Sequence, residues 1–180
     1  MIDGPWKAAE DRRIMSRATI RHIFISKGHN FIGHHGKDPD AHPIEERKEV
    51  QCVAGKGLVD DRFFDLKENY KGQITFFDWA VFDELKGHYP DKEFPPSAMR
   101  RNVLVEGLDL NALIVEEFEL QGIRFSGAQH CAPCYWMDQA VGPGAETFLK
   151  GRGGLRARIL TDGKLTTGPA DFRLFHSTGL

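Results

Sequence analysis

The apolar residues of this chain fall in short runs bounded by Gly, Pro and charged residues, a pattern typical of β-strands. In residues 155–160, apolar positions alternate with Arg156 and Arg158, so one face of the predicted strand is apolar and the other carries two arginines. Similar runs predict strands at residues 17–26, 49–54, 72–77, 102–105, 117–125 and 164–167. Many short strands and few helical segments favour a mainly β, barrel-like domain with one or two small helices.

Turn and capping residues predict how these runs are connected. Gln121-Gly122 interrupts the run 117–125, which is therefore predicted to be a hairpin. Asp-Gly at positions 162–163 is a strong hairpin signal and predicts that the strands on either side of it pair with each other. Asp78 is the expected N-cap of a short helix that ends at Gly87, and residues 135–140 can form a second short helix.

One domain is the economical interpretation of 180 residues without a repeat, a low-complexity tract or a linker. Residues 1–17 are polar and weakly patterned, so we expect a loose arm there and a single domain over residues 18–180. Residues 27–43 are dense in Gly, His, Asp and Pro and are expected to form a long loop.

The composition excludes several classes of partner. A formal net charge of −2 gives no overall attraction to nucleic acid or to an anionic membrane. No apolar run approaches the length of a membrane span, and residues 1–11 lack the apolar core of a secretory signal. Three cysteines without an export signal are typical of reduced thiols, so we expect a cytoplasmic protein.

The strongest chemical signal is the run His130-Cys131-Ala132-Pro133-Cys134, which places two thiols close together. A thiolate is a nucleophile and a ligand for soft metals. If a helix follows, the positive end of its dipole lies beside Cys134 and favours the thiolate, while Cys131 can act as a helper that resolves oxidised or persulfidated Cys134. Shortly downstream lies a segment suited to binding an anion, since exposed glycine backbone and arginine side chains both bind phosphate: Arg152, Gly153, Gly154, Arg156 and Arg158.

The same residues also allow other interpretations. The cysteines can be buried structural residues, and the arginines can form a solvated strand face. A zinc site needs four ligands, and Cys131 and Cys134 supply one pair. The second pair would come from Cys52 and the histidine-rich loop with His29, His34, His35 and His42. That alternative describes a non-catalytic zinc- or thiol-based binding module.

Several motifs, spread over residues 20–165, resemble the MOSC domain, the C-terminal domain of molybdenum cofactor sulfurases, in a stand-alone bacterial form. The motifs follow one another at sensible spacing, which makes them more specific than a lone CxxC. They are GHNF at residues 28–31, GHHG at 33–36, GKG at 55–57, RFFD at 62–65, GQITFF at 72–77, RRNV at 100–103, GLDLNAL at 107–113, CAPCYWMD at 131–138 and the segment 151–160.

The resemblance implies a twisted, closed β-barrel of the pyruvate-kinase-like type that binds a molybdenum cofactor, a molybdopterin with a terminal phosphate. Cys134 occupies the position of the family's key cysteine, which carries sulfur or ligates molybdenum. Arg101 and Asn102 match an Arg-Asn pair that relatives place near the cofactor, and the anion-binding segment is expected to hold the phosphate.

The resemblance also implies partners. Some relatives reduce N-hydroxylated compounds with redox partner proteins. This chain contains no flavin, haem or iron–sulfur motif, so a reductase role requires a partner that supplies electrons. Sulfur transfer likewise requires a cysteine desulfurase.

The chain departs from the family pattern at two places. The usual Gly-Asp-Arg appears as Asp60-Asp61-Arg62, and the added carboxylate would disfavour an anionic ligand if that loop faces the site. The run Gly168-Pro169-Ala170-Asp171 replaces the usual Gly-Asp before the last strand, so we expect that strand to be shifted or irregular.

Overall fold

The structure is a computed structural model that describes residues 14–30, 38 and 40–175. Within these residues the strands are β1 (Ile14–Ile25), β2 (Glu45–Arg47), β3 (Glu49–Val53), β4 (Gly57–Leu58), β5 (Ile74–Asp78), β6 (Val103–Glu106), β7 (Glu117–Leu120), β8 (Ile123–His130), β9 (Leu155–Ile159), β10 (Gly163–Thr166) and β11 (Gly168–Phe175). The α-helices are α1 (Trp79–His88), α2 (Trp136–Ala140) and α3 (Ala145–Phe148), and a 3-10 turn covers Pro96–Met99.

Seven of these strands form a closed barrel, which confirms the predicted fold class. The strand order is β1-β6-β5-β9-β8-β7-β11, and β11 pairs with β1 again to close the sheet. Neighbouring strands are antiparallel except β5 and β6, which are parallel. Strands β10, β3 and β4 form a small second sheet.

The closure of the barrel corrects two expectations. β1 and β11 pair without interruption from Ile14 opposite Leu174 to Ile20 opposite Gly168, so the last strand is regular and not irregular. Residues 14–17, which the sequence assigned to a loose arm, belong to β1. The reason is that a long first strand offers a partner to the whole last strand, which a local sequence pattern does not reveal. Residues 1–13 lie outside the described part.

One predicted hairpin is present and the other is absent. β7 and β8 pair across Gln121 and Gly122, whose φ values of +50° and +78° suit a tight hairpin turn. β9 and β10, by contrast, do not pair: β9 lies between β5 and β8, while β10 pairs with β3. The Asp162 carboxylate accepts a hydrogen bond from the Ala54 backbone N–H at 2.7 Å, which ties this turn to the end of β3 instead.

Two apolar clusters lie on the two faces of the barrel wall. Side chains such as Phe76 and Phe125 fill the barrel interior, whereas Phe77 points the other way, into a cluster with α1, α2 and α3. This inward and outward alternation is the strand periodicity of two. Cys134 lies at the edge of the outer cluster.

Helix α1 begins as predicted, because the Asp78 carboxylate accepts a hydrogen bond from the Ala80 N–H at 2.9 Å. It ends at His88, one residue beyond the predicted end. None of the described helices has the length and apolar character needed to cross a membrane.

Candidate functional site

A cavity of about 340 Å³ lies where strands β5 and β9 meet the segment before helix α2. It brings together five of the residues predicted from sequence: Arg101, Cys131, Cys134, Gly153 and Arg156. The cavity is also lined by residues that were not predicted as site residues, chiefly Arg62, Arg100 and Tyr70. Four arginines line the cavity. None of its described lining residues is an Asp or a Glu.

The two thiols share one wall of this cavity but differ in access. Cys134 is half-buried, and its carbonyl oxygen accepts a hydrogen bond from the Met137 N–H at 2.9 Å, which starts the first turn of α2. Cys131 is only 2% exposed, and its N–H donates to the Gly154 carbonyl at 2.7 Å. Cys134 is therefore the thiol that an incoming group meets. Since α2 has only five residues, its dipole adds little there.

Arg100 is the cation beside Cys134. Its Nη1 lies 3.9 Å from the Cys134 Sγ. Burial lowers the pKa of Arg100 to about 10, and Cys134 acts in the opposite direction. Nearby Arg101 and Arg62 lower that pKa further, so several cations crowd this end of the cavity.

Arg62 and Arg156 carry hydrogen-bonding capacity that the described residues leave unused. The Nε atom of each is buried and has no hydrogen-bond partner within the described part of the chain. The Arg62 Cζ lies 4.6 Å from the centroid of the Phe63 ring, and the Arg62 Nη1 lies 3.8 Å from the Asp61 Oδ2. Burial lowers the pKa of Arg62, with Asp61 opposing that effect. A buried donor without a partner is costly, so an anion in this cavity would stabilise both arginines.

Arg101 has a double role. Its Nε donates to the Gly153 carbonyl at 2.9 Å and its Nη1 donates to the Met99 carbonyl at 3.2 Å, so it ties the 3-10 turn to the start of β9. It still lines the cavity.

Asn102, its predicted companion, does not line this cavity. Its buried side chain accepts hydrogen bonds from the N–H and Oγ1 of Thr75 and donates to the Phe24 carbonyl and to Asp61. Asn102 therefore supports the cavity wall, and its place near a cofactor stays a prediction.

Three further predicted residues lie away from the main cavity. The Arg152 guanidinium pairs with Glu84 at 2.6 Å, and Arg152 and Gly154 line a separate cavity of about 130 Å³. The Arg158 Nε donates to the Asn69 carbonyl at 3.4 Å. Arg158 shares a strand face with Arg156, but two residues of strand separate their side chains by about 7 Å. Of the arginines in this segment, only Arg156 lines the main cavity.

The loop that departs from the family pattern does not place its extra carboxylate in the cavity. Asp60 is exposed and has a φ of +68°, a left-handed conformation that suits glycine. Asp61 is buried and accepts hydrogen bonds from the N–H groups of Ser26 and Phe63 at 3.2 and 3.1 Å. Arg62 then enters the cavity. The RFFD motif was the signal for Arg62, but its spacing does not show which side chain points inward.

The described residues do not assemble the alternative zinc site. No group of three or more His, Cys, Asp or Glu side chains suited to a metal ion occurs within residues 14–30, 38 and 40–175. Cys52 is fully buried in the barrel interior. His29 lines the cavity, whereas His34 and His35 lie outside the described residues.

Comparison with known proteins gives a family and a set of related folds. The MOSC domain family model matches residues 34–170. The YUAD protein from Bacillus subtilis has a TM-score of 0.71 at 14% identity, over 92% of this chain and 100% of that one. YiiM from Geobacillus stearothermophilus has a TM-score of 0.60 at 18% identity, covering 88% of this chain and 75% of its own.

YiiM from Escherichia coli has a TM-score of 0.62 at 15% identity, covering 92% of this chain and 72% of its own. These likenesses show a shared fold. The comparison with curated proteins finds no match.

Proposed function

Because the chain belongs to the MOSC domain family, which is associated with molybdenum cofactor binding, we propose that its arginine-lined cavity binds a sulfurated molybdenum cofactor. Cys134 is the key residue of this proposal, as a carrier of sulfur or as a ligand of molybdenum. The observation that carries the proposal is the lining itself: four arginines and an accessible thiol, without a described carboxylate.

The residues present suit the chemistry of this cofactor. Its phosphate matches the unsatisfied Nε groups of Arg62 and Arg156, since guanidinium groups bind phosphate through paired N–H donors. Its metal matches the Cys134 thiolate, a soft ligand. When bound, the cofactor would supply a redox-active molybdenum centre, while the arginines of the chain would bind its anionic end.

In the first form of the proposal, Cys134 carries sulfur that a cysteine desulfurase provides. The Cys134 thiolate bonds to the outer sulfur of the donor's persulfide, the donor's S–S bond breaks, and the electron pair leaves with the donor thiolate. The result is a Cys134 persulfide, with no net oxidation. This reaction, and a cytoplasmic location in which both thiols stay reduced, belong to the same proposal.

In the second form, Cys134 ligates molybdenum in a reductase of N-hydroxylated compounds. The aromatic residues of the cavity favour this form: the Phe63 and Tyr70 rings lie 5.5 Å apart and both line it, a surface on which a flat base can stack. Conversion of a hydroxylamino group to an amine and water consumes two electrons and two protons, and a redox partner protein must supply the electrons.

Metal and pterin analysis tests cofactor binding. The protein is purified from a host that makes the molybdenum cofactor, and molybdenum, zinc and released pterin are measured per chain. Molybdenum with pterin supports the proposal. Cys134→Ser and Arg62→Gln should each lower the amounts of molybdenum and pterin per chain. Arg124→Gln, on an arginine paired with Glu117 away from the cavity, is the matched control. Zinc in stoichiometric amount, or neither metal nor pterin, would overturn the proposal.

A second measurement separates the two forms. Turnover of an N-hydroxylated purine by cofactor-loaded protein with an artificial electron donor, abolished in Cys134→Ser, supports the reductase. A persulfide on Cys134 found by mass spectrometry, without turnover, supports sulfur transfer.

A further inference from the structure

Arg100 reaches Cys134 through an unusual backbone conformation. It follows the 3-10 turn Pro96–Met99 and has φ +57° and ψ +36°, in the left-handed region. Residues with a bulky side chain seldom adopt this region, which glycine and asparagine tolerate better. Strained backbone of this kind occurs often at functional sites. Arg100 is one of six described non-glycine residues with a positive φ, and it is the one whose guanidinium lies 3.9 Å from the Cys134 Sγ.

The described hydrogen bonds and ion pairs of Arg101 and Arg62 go to groups other than the Cys134 thiol. Arg101 uses its Nε and Nη1 on backbone carbonyl groups, including that of Gly153. Arg62 faces the buried carboxylate of Asp61. Arg100 is the guanidinium whose hydrogen bond goes to the thiol itself. Arg100 is half-buried in the cavity wall, and a guanidinium that has lost part of its hydration is stabilised by an anion next to it.

We propose that Arg100 is a further catalytic residue, which binds the outer sulfur of a Cys134 persulfide as an anion. The inference rests on the sulfur-carrier form of the proposed function. A persulfide extends the side chain by one S–S bond of about 2.05 Å. The guanidinium is planar and carries five N–H donors, so it can contact both the inner and the outer sulfur.

The role of Arg100 follows from the balance of the transfer reaction. When the Cys134 thiolate takes sulfur from a donor persulfide, the negative charge on the Cys134 side moves from the inner to the outer sulfur as the outer sulfur loses its proton to solvent. A fixed cation beside both positions stabilises the charge throughout. Passing the sulfur on reverses these bond changes and returns Cys134 to the thiolate.

The test measures sulfur on Cys134 directly. Reduced protein is treated with cysteine persulfide, small-molecule donor is removed, and the fraction of Cys134 that carries the extra sulfur is followed over time by alkylation and peptide mass spectrometry. We expect Arg100→Asn and Arg100→Gln to lower the rate of sulfur uptake by Cys134, or the lifetime of its persulfide, by about tenfold. This is the effect of losing one charged hydrogen bond. Arg100→Lys, which keeps the charge, should recover part of it.

Stability separates this role from a structural one. Because asparagine tolerates the left-handed backbone, Arg100→Asn should unfold at the same temperature as the native protein or higher. Arg124→Gln should take up sulfur at Cys134 at the same rate as the native protein. An unchanged rate of sulfur uptake at Cys134 and an unchanged persulfide lifetime in both Arg100→Asn and Arg100→Gln would overturn the inference.

A native protein that takes up no sulfur at Cys134 would also overturn it, while the separate molybdenum and pterin measurement decides whether the cavity binds the cofactor.

Discussion

Gly153 and Cys131 lie in direct backbone contact. A β-carbon added to Gly153 would overlap the Cys131 carbonyl oxygen and would lie 3.2 Å from both Cδ and N of Pro133. The Arg101 Nε holds the Gly153 carbonyl at 2.9 Å, and the Gly153 N–H donates to the His130 Nε2 at 3.2 Å. Gly153 thus fixes the distance between β9 and the segment that carries both thiols.

Gly153→Ala should therefore disrupt the cavity. The added methyl group meets backbone atoms, which cannot rotate away, so we expect a loss of about 1–3 kcal/mol in the free energy of unfolding. Molybdenum and pterin content should fall with it. Thermal unfolding and pterin release measure the two effects. Gly87→Ala is the control, since a β-carbon there has open space within helix α1 and should be neutral or stabilising by up to about 1 kcal/mol.

Asn102→Ala should destabilise the protein before it affects any ligand. The substitution leaves the buried Phe24 carbonyl and Asp61 carboxylate without their amide donor and the Thr75 N–H without an acceptor. Since each unsatisfied buried group costs about 1–3 kcal/mol, we expect a loss above about 2 kcal/mol, measured by urea denaturation. Native stability combined with a selective loss of pterin would instead show that Asn102 contacts the cofactor.

Arg156→Gln and Arg158→Gln should differ, although both residues lie on the same strand face. Arg156 lines the cavity with an unsatisfied Nε, whereas Arg158 donates to Asn69. We expect Arg156→Gln to reduce retained pterin about tenfold, consistent with the loss of a charged hydrogen bond, and Arg158→Gln to stay near the native level. The measurement is fluorescence of oxidised pterin released per chain. Equal losses in the two variants would contradict this assignment.

Cys52 should make the protein less stable at high pH. Burial raises the pKa of the Cys52 thiol from 9.0 to about 12 in the folded state. Above pH 9 the unfolded chain loses this proton while the folded chain keeps it, so stability falls as pH rises from 9 towards 12.

At pH 10.5 the expected contribution is roughly 2 kcal/mol. Urea denaturation at pH 8 and pH 10.5 checks it. Cys52→Ala should be less stable at pH 8, because it leaves a small cavity, yet should lose less stability between the two values. An identical loss in both proteins would show that Cys52 does not titrate in this range.

The sequence predicted correctly those turns and caps that depend on a few residues adjacent in the chain. The Gln121-Gly122 hairpin and the Asp78 N-cap follow from backbone preferences that act over a few residues. The Asp162-Gly163 hairpin shows the limit of such signals. Its turn residues are correct, but β5 and β8 occupy both edges of β9, so β10 pairs with β3.

The candidate site likewise has a part that the sequence predicted and a part that only the tertiary structure shows. The motifs of the chain identified the family and the barrel, because residue type and order carry that information along the sequence. The role of Cys134 as the key cysteine stays a prediction. Which arginines line the cavity depended on the closed barrel: Arg62 and Arg100 enter it, while Arg152 and Arg158 bind other groups. The physical reason is that the direction of a side chain depends on strand register and on single left-handed residues such as Arg100, and long-range packing sets both.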